Sequence, residues 1–348
     1  MKRRTFLVFL SLGIVVVLSK IFGVKILDLL DFLEPSDRRK IIHKITTNYN
    51  YLRRHGFKYV PLAIDYEKTK EIIQELFDGN VTDIKFQGHE VIVRLKTDDK
   101  RLMFYYSLVV ICNLLTKLNT NQLKNTQYYN VLTGKSSEIS IEVRLPLVLH
   151  TDYFQTPQEL KNSKIGTSLD YALFFYDLLK DQEHKFFIVK CKDKYLLAIS
   201  KKDYNNIDEM MEDFFNGKLL VFGCIGKFNT TPEKMFCEAF DLFENKPDVV
   251  IGLDRIIENK EPCGPMPNES IGIEMLGDFG KLVDLLSKTL GLNIERETIE
   301  DAIKAYKEFQ RRVYKKYMEK CCEIEQELFK SIQEEMKTLS KIKVKINV

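Results

Sequence analysis

The run Gly166-Thr167-Ser168-Leu169-Asp170-Tyr171-Ala172 sets a hydroxyl, a carboxylate and a phenol within one helical turn of each other. A serine hydroxyl in that position does acyl-transfer chemistry only if a general base takes its proton and a third group orients the base. Histidine is the usual base. His184 stands at the helix-to-strand turn after this run, and His150 lies just before the segment that leads into it. A lone histidine is more often a surface or structural residue than a base.

The elements that must hold these groups are legible nearby. Thr156 with Pro157 and Glu159 behind it is a helix start. Gly166 interrupts, and Thr167 or Ser168 can cap a second helix. In that helix Leu169, Ala172, Leu173, Phe175, Tyr176 and Leu179 recur at spacings of three and four, which marks a buried face. Residues 185–191 and 195–200 then read as a β-hairpin around Lys192-Asp193-Lys194, and residues 218–224 as a further strand.

Thr156, Pro157, Glu159, Gly166, Asp170, Tyr171, Ala172, Leu178 and Leu179 together resemble the TPxE…GxCxDYA…LL run of the transglutaminase-like superfamily of papain-like thiol enzymes. The resemblance implies an α+β fold: a nucleophile-type helix packed on an antiparallel sheet. It also implies a Cys-His-Asp triad, and here the chain departs from the pattern. Ser168 occupies the cysteine position, Leu196 or Leu197 falls where the histidine belongs, and Gly223 falls where the acid belongs. A helix N-terminus activates a thiol far better than a hydroxyl. The expectation is an inactive site with no catalytic residue, in which Ser168, Asp170, Tyr171, Leu196 and Gly223 line a vestigial groove.

Composition narrows the partners. The chain has 348 residues, 53 basic and 50 acidic side chains and no tryptophan. That near-balance gives no reason to expect nucleic acid. Its 7 cysteines show no metal-ligand spacing, and Cys321-Cys322 is an adjacent pair rather than C-x-x-C. Cys112, Cys191 and Cys224 sit in apolar runs and read as small hydrophobes. The odd count argues against a complete disulfide framework while leaving room for one or two bridges. No metal and no cofactor is expected.

At the N-terminus Lys2-Arg3-Arg4 precedes the uncharged run Thr5–Ser19, and Lys20 can snorkel to extend it to Val24. An uncleaved signal anchor contacting membrane lipid fits better than a signal peptide, for which no small-x-small cleavage site is evident. The positive-inside rule favours a cytoplasmic N-terminus and an extracytoplasmic body, although Lys20, Lys25, Arg38, Arg39 and Lys40 dilute the bias. Sequons begin at Asn80, Asn229 and Asn268. Arg38-Arg39-Lys40 reads as a solvated face or as a contact to anionic headgroups.

The expected organisation is a signal anchor at 1–24, a juxtamembrane helical linker at 25–64, an α/β lead-in at 65–149, the transglutaminase-like core at 150–292 and a long helical tail at 293–348. Met103–Leu118 reads as a core helix in preference to a second span. From Thr298 to about Lys341 no proline or glycine occurs, and an apolar stripe runs through Ile299, Ile303, Tyr306, Val313, Tyr317, Cys321, Ile324 and Leu328. It can serve domain packing or a coiled-coil oligomer seam. The expected function is a membrane-anchored, catalytically inactive binding or structural module with a protein or peptide partner. The alternatives are a Ser168-dependent acyl transferase or hydrolase, and a scaffold oligomerising through the tail.

Overall fold

The computed structural model describes residues 36–115, 117–150, 153–228, 231–259 and 279–342. The expected anchor, residues 25–35 of the expected linker and the sequons at Asn229 and Asn268 lie outside the described residues. In chain order the elements begin with α1 (Ser36–Arg54), β1 (Lys58–Tyr59), α2 (Tyr66–Phe77), β2 (Val81–Gln87), β3 (Glu90–Thr97) and α3 (Lys100–Leu114). The short helices α4 (Thr120–Lys124) and α5 (Gln127–Leu132) lead to β4 (Ile139–Pro146). Next come α6 (Pro157–Ser163), β5 (Ile165–Gly166), α7 (Ser168–Leu179), β6 (Lys185–Cys191), β7 (Lys194–Ser200) and α8 (Ile207–Phe215). The rest are β8 (Leu220–Phe222), α9 (Pro232–Glu244), β9 (Val249–Ile251), β10 (Ile256–Glu258), α10 (Phe279–Leu290) and α11 (Arg296–Lys341). The chain is therefore α+β with antiparallel sheets and a long C-terminal helix.

These elements form two compact units, and neither is a continuous stretch of chain. Unit 1 takes residues up to Ala63, Thr151–Pro262 and from Glu325 onward; unit 2 takes Ile64–His150 and Cys263–Ile324. The expected contiguous domains give way to an interleaved arrangement. The stretch read as a juxtamembrane linker contains α1, whose Ile42, Ile45, Tyr49 and Leu52 are buried in the same cluster as α7.

Unit 1 is built on a sheet of order β10-β9-β6-β7-β8, antiparallel throughout. Because side chains alternate along a strand, the sheet has two distinct buried faces. Ile188, Tyr195, Leu197, Ile199, Phe222 and Ile251 pack with α7, α1 and the last part of α11. Phe187, Val189, Leu196, Ala198, Val221 and Val250 pack with α8 and with Ala239 and Phe243 of α9. A sheet covered on both sides needs apolar residues at nearly every position, as in Tyr195-Leu196-Leu197-Ala198-Ile199.

In unit 2, β2-β3-β4 form an antiparallel sheet. Val91, Val93 and Leu95 of β3 and Ile141, Val143 and Leu145 of β4 are buried with α2, α3 and the first part of α11. The alternate residues form cross-strand ion pairs, Arg94 with Glu142 at 2.9 Å and Arg144 with Glu90 at 3.3 Å. Helix α3 buries Leu102, Met103, Tyr105, Leu108 and Ile111. No helix among the described residues is long and apolar enough to cross a membrane.

Helix α11 is unbroken over 46 residues. Its stripe is packed inside the chain: Val313, Tyr314, Tyr317 and Met318 belong to the core of unit 2, and Leu328, Phe329, Ile332, Met336 and Leu339 to the core of unit 1. The apolar spacing that a coiled-coil seam would require is thus taken up by intrachain packing. The helix starts at Arg296, two residues ahead of Thr298.

Candidate functional site

The run of hydroxyls and carboxylates around Ser168 is, in three dimensions, a pair of helix caps. Thr156 caps α6: its Oγ1 accepts from Glu159 N at 3.3 Å, and Glu159 Oε2 accepts from Thr156 N at 2.8 Å and from Thr156 Oγ1 at 2.9 Å. These bonds hold the Glu159 carboxyl below its ordinary pKa, the bond from the Thr156 backbone contributing most. Pro157 fills the first turn, where a missing N–H costs nothing. Lys164 ends α6 in the left-handed region at φ 57°.

Thr167 caps α7 in the same way, with Asp170 as the reciprocal partner. Asp170 Oδ2 accepts from Thr167 N at 2.7 Å and from Thr167 Oγ1 at 3.1 Å, while Oδ1 accepts from Gln155 N at 2.6 Å. Burial lifts the Asp170 carboxyl above the usual carboxylate range, and the hydrogen bonds from Gln155 and Thr167 offset only part of that. Tyr171 Oη donates to Lys58 O at 2.8 Å, pinning β1 against the start of α7. Gly166 pairs with Tyr59. A Cβ on Gly166 would lie 2.6 Å from Leu160 Cδ1 and 3.1 Å from Asp170 Cβ, so only glycine fits between the two caps.

Ser168 itself is 1% exposed. Its Oγ accepts a hydrogen bond from Tyr195 N at 3.0 Å, tying the first turn of α7 to the start of β7. The hydroxyl is sealed in protein with its acceptor capacity engaged.

Ser168, Asp170 and Tyr171 therefore come together, but Leu196 and Gly223 do not join them. Leu196 packs with Ala198 and Val221 on the face away from α7. Gly223 follows it: a Cβ there would lie 2.6 Å from Leu196 Cδ2. A one-residue offset along a strand moves a side chain to the opposite face, and that offset separates the aligned positions from the observed ones. On the α7 side stand Tyr195 and Leu197 of β7, with Phe222 and Cys224 at the end of β8. Burial pushes the Tyr195 phenol and the Cys224 thiol far above their ordinary values, so neither supplies an anion near neutrality. Cys224 Sγ rests 4.0 Å from Met235 Sδ.

The histidines stand elsewhere. His184 Nδ1 lies 3.0 Å from Asp181 Oδ2, beyond the C-terminal end of α7. A helix of 12 residues rises about 18 Å. The β-ladder agrees: Lys185 pairs with Ser200, whereas Ser168 bonds to Tyr195 near the Cys191–Lys194 end. His150 belongs to unit 2, where it forms an isolated antiparallel bridge with Ile64.

A second polar cluster in unit 1 had no signal in the spacing of its residues. Tyr204 Oη lies 2.8 Å from Ser200 Oγ and donates to Asp213 Oδ2 at 3.2 Å, and Lys202 Nζ lies 3.0 Å from the same carboxylate oxygen. Burial pushes the Tyr204 phenol up to about 12. The cluster fastens the 201–206 connection onto α8, and its phenol stays protonated. Among the described residues no group of three His, Cys, Asp or Glu side chains is placed to hold a metal ion. Compared with family models, curated proteins and solved structures, the chain finds no match.

Proposed function

We propose that this chain is a membrane-anchored module on a transglutaminase-like frame that binds a protein or peptide and performs no acyl transfer. The observation that carries the reading is the fate of Ser168: buried, accepting from Tyr195 N, and about 18 Å of helix away from His184. A nucleophile needs an adjacent base and access to substrate. Ser168 has tyrosine, leucine and cysteine facing it across the sheet, none of them a base at neutral pH.

The resemblance to the thiol enzymes rests on the residues of α6 and α7, and every one with an assigned contact here serves the fold. Serine-reactive fluorophosphonate labelling of the full chain tests the reading. No label at Ser168 is expected; labelling that Ser168→Ala and His184→Ala both abolish would establish the acyl-transfer alternative instead.

The anchor reading is supported by the uncharged run Thr5–Ser19. An extracytoplasmic body is supported by Lys2-Arg3-Arg4 ahead of that run, which the positive-inside rule keeps cytoplasmic. Asn80 of the first sequon is exposed in the turn between α2 and β2. Alkaline carbonate extraction should leave the chain in the membrane pellet, and protease added outside intact cells should degrade the body. Release by carbonate would end the anchor reading, and full protection from protease would reverse the orientation.

A further inference from the structure

Helix α1 divides cleanly into two faces. Ile42, Ile45, Tyr49 and Leu52 are buried in the core of unit 1. Arg39, Lys40, His43, Lys44, Thr47, Tyr51 and Arg54 are exposed. At 3.6 residues per turn this set spans an arc of about 140°, centred opposite the buried one, and Arg53, also exposed, lies at the edge of the buried face. Charge is distributed as unevenly as burial. The helix carries Arg38, Arg39, Lys40, Lys44, Arg53 and Arg54 against the single acid Asp37, in a chain whose overall net charge is only +3.

Tyr51 is 51% exposed in the last turn of this helix, its ring stacked on His55 at 3.8 Å. Exposed tyrosine flanked by arginine and lysine is the combination that suits a headgroup region, where an amphipathic ring and long cationic side chains both reach their preferred depth.

Position along the chain names the occupant. The segment before α1 is 35 residues long and contains the apolar run Thr5–Ser19, extendable to Val24. Eleven residues separate Val24 from Ser36, a reach of at most about 40 Å even when fully extended. A helix tethered that closely to a bilayer, with basic residues in its first turns and again at its end, meets the headgroups side-on.

We infer that the exposed face of α1 is a docking surface for an anionic bilayer, laid flat on the leaflet that the body of the protein faces. The inference rests on the anchored reading for the proximity of the membrane. Charge complementarity supplies the attraction: each Lys or Arg close to an anionic surface contributes about fivefold in partitioning, and the effect fades within a Debye length of about 10 Å at 0.1 M salt. Docking through α1 fixes the orientation of unit 1 on the membrane, because α1 is part of its core.

The absence of tryptophan supplies a clean probe. Tyr51→Trp in the full chain places a single indole on the exposed face. The variant is reconstituted in vesicles of phosphatidylcholine alone or of phosphatidylcholine with phosphatidylglycerol. Phosphatidylglycerol should shift the emission to shorter wavelength and make it quenchable by lipids brominated near the headgroup, and high salt should reverse both effects. Adding Arg39→Glu, Lys40→Glu and Arg54→Glu, and leaving Lys44, whose Nζ donates to Leu178 O at 2.7 Å, should abolish the shift while circular dichroism stays unchanged. Identical emission in the two lipids overturns the inference, as does a response to RNA that exceeds the response to phosphatidylglycerol. Carbonate extraction of the same samples reports on the anchor separately. A chain that stays in the membrane without a lipid-dependent shift sinks the docking face alone, and a chain released by carbonate sinks the anchored reading.

Discussion

Replacing Ser168 by alanine takes the acceptor away from Tyr195 N, which now donates to Ser168 Oγ at 3.0 Å in a site closed to water. A buried donor left without a partner costs about 1–3 kcal/mol. With a urea dependence of about 2 kcal/mol per M, the unfolding midpoint should fall by about 0.5–1.5 M. The Tyr195 amide should exchange about 5–150-fold faster, the same free energy expressed as an opening equilibrium. Both are measurable on the full chain, by urea titration followed by circular dichroism and by hydrogen exchange resolved to β7. Ser168→Cys supplies a control with opposite chemistry. It restores the atom type of the thiol enzymes, but sulfur is a poorer acceptor, so the midpoint should again fall. The new thiol should resist alkylation in native buffer because nothing reaches it. An unchanged midpoint in Ser168→Ala would refute the structural role. A Ser168→Cys thiol alkylated as fast as an exposed cysteine would refute the sealed site.

Three further outcomes follow from the same region. Gly166→Ala should destabilise unit 1 by about 1–3 kcal/mol, since its Cβ meets Leu160 Cδ1 at 2.6 Å and Leu160 is itself fully buried; thermal melts would register it. Tyr171→Phe removes the 2.8 Å bond to Lys58 O and should cost about 1 kcal/mol, with faster exchange confined to the Lys58 and Val60 amides that bond to Lys164 O and Gly166 O. Glu159 has its folded pKa depressed by Thr156, so its contribution is present above the unfolded value and lost as pH falls through the lower folded one. In Glu159→Gln the part of the acid-induced fall in urea midpoint between about pH 5 and pH 3 that belongs to this cap should vanish; an unaltered acid limb would argue against the cap.

The caps at Thr156 and Thr167 were legible because a capping box is local: a hydroxyl and a carboxyl three residues apart satisfy each other's backbone N–H. The β6–β7 hairpin was legible for a similar reason. The facing of β7 was not. Between two helical layers Tyr195, Leu196, Leu197, Ala198 and Ile199 are all apolar, so no alternation tells which residue looks toward α7; of the two positions read for the base, Leu197 lies on that side and Leu196 does not. Helix α1 read as a linker because composition along the chain says nothing about a distant surface that will cover Ile42 and Ile45. The stripe of α11 fits a coiled coil and an intrachain core equally well, since both demand the same spacing. The short elements α4, α5 and β10 carry too few residues to show a period at all. The Tyr171–Lys58 and Asp170–Gln155 bonds use main-chain partners, which no side-chain pattern can announce.

The interleaving of the two units governs how the chain can be made. Ile251 completes the α7-facing side of the sheet, yet Met336 and Leu339, which cover part of that cluster, come almost 90 residues later. At 5–20 residues per second this is roughly 4–18 s of synthesis. Through that interval the nascent chain holds an apolar surface part of whose cover does not yet exist, and the second stretch of unit 2, residues 263–324, is made before that cover arrives. Maturation therefore waits on the last helix, and a chaperone able to shield the α7 face is expected to accompany the ribosome-bound intermediate. A stop codon ahead of Leu328 would leave the part of the α7 side that Leu328, Phe329, Ile332, Met336 and Leu339 cover open, so a tail truncation reports on folding before it reports on assembly.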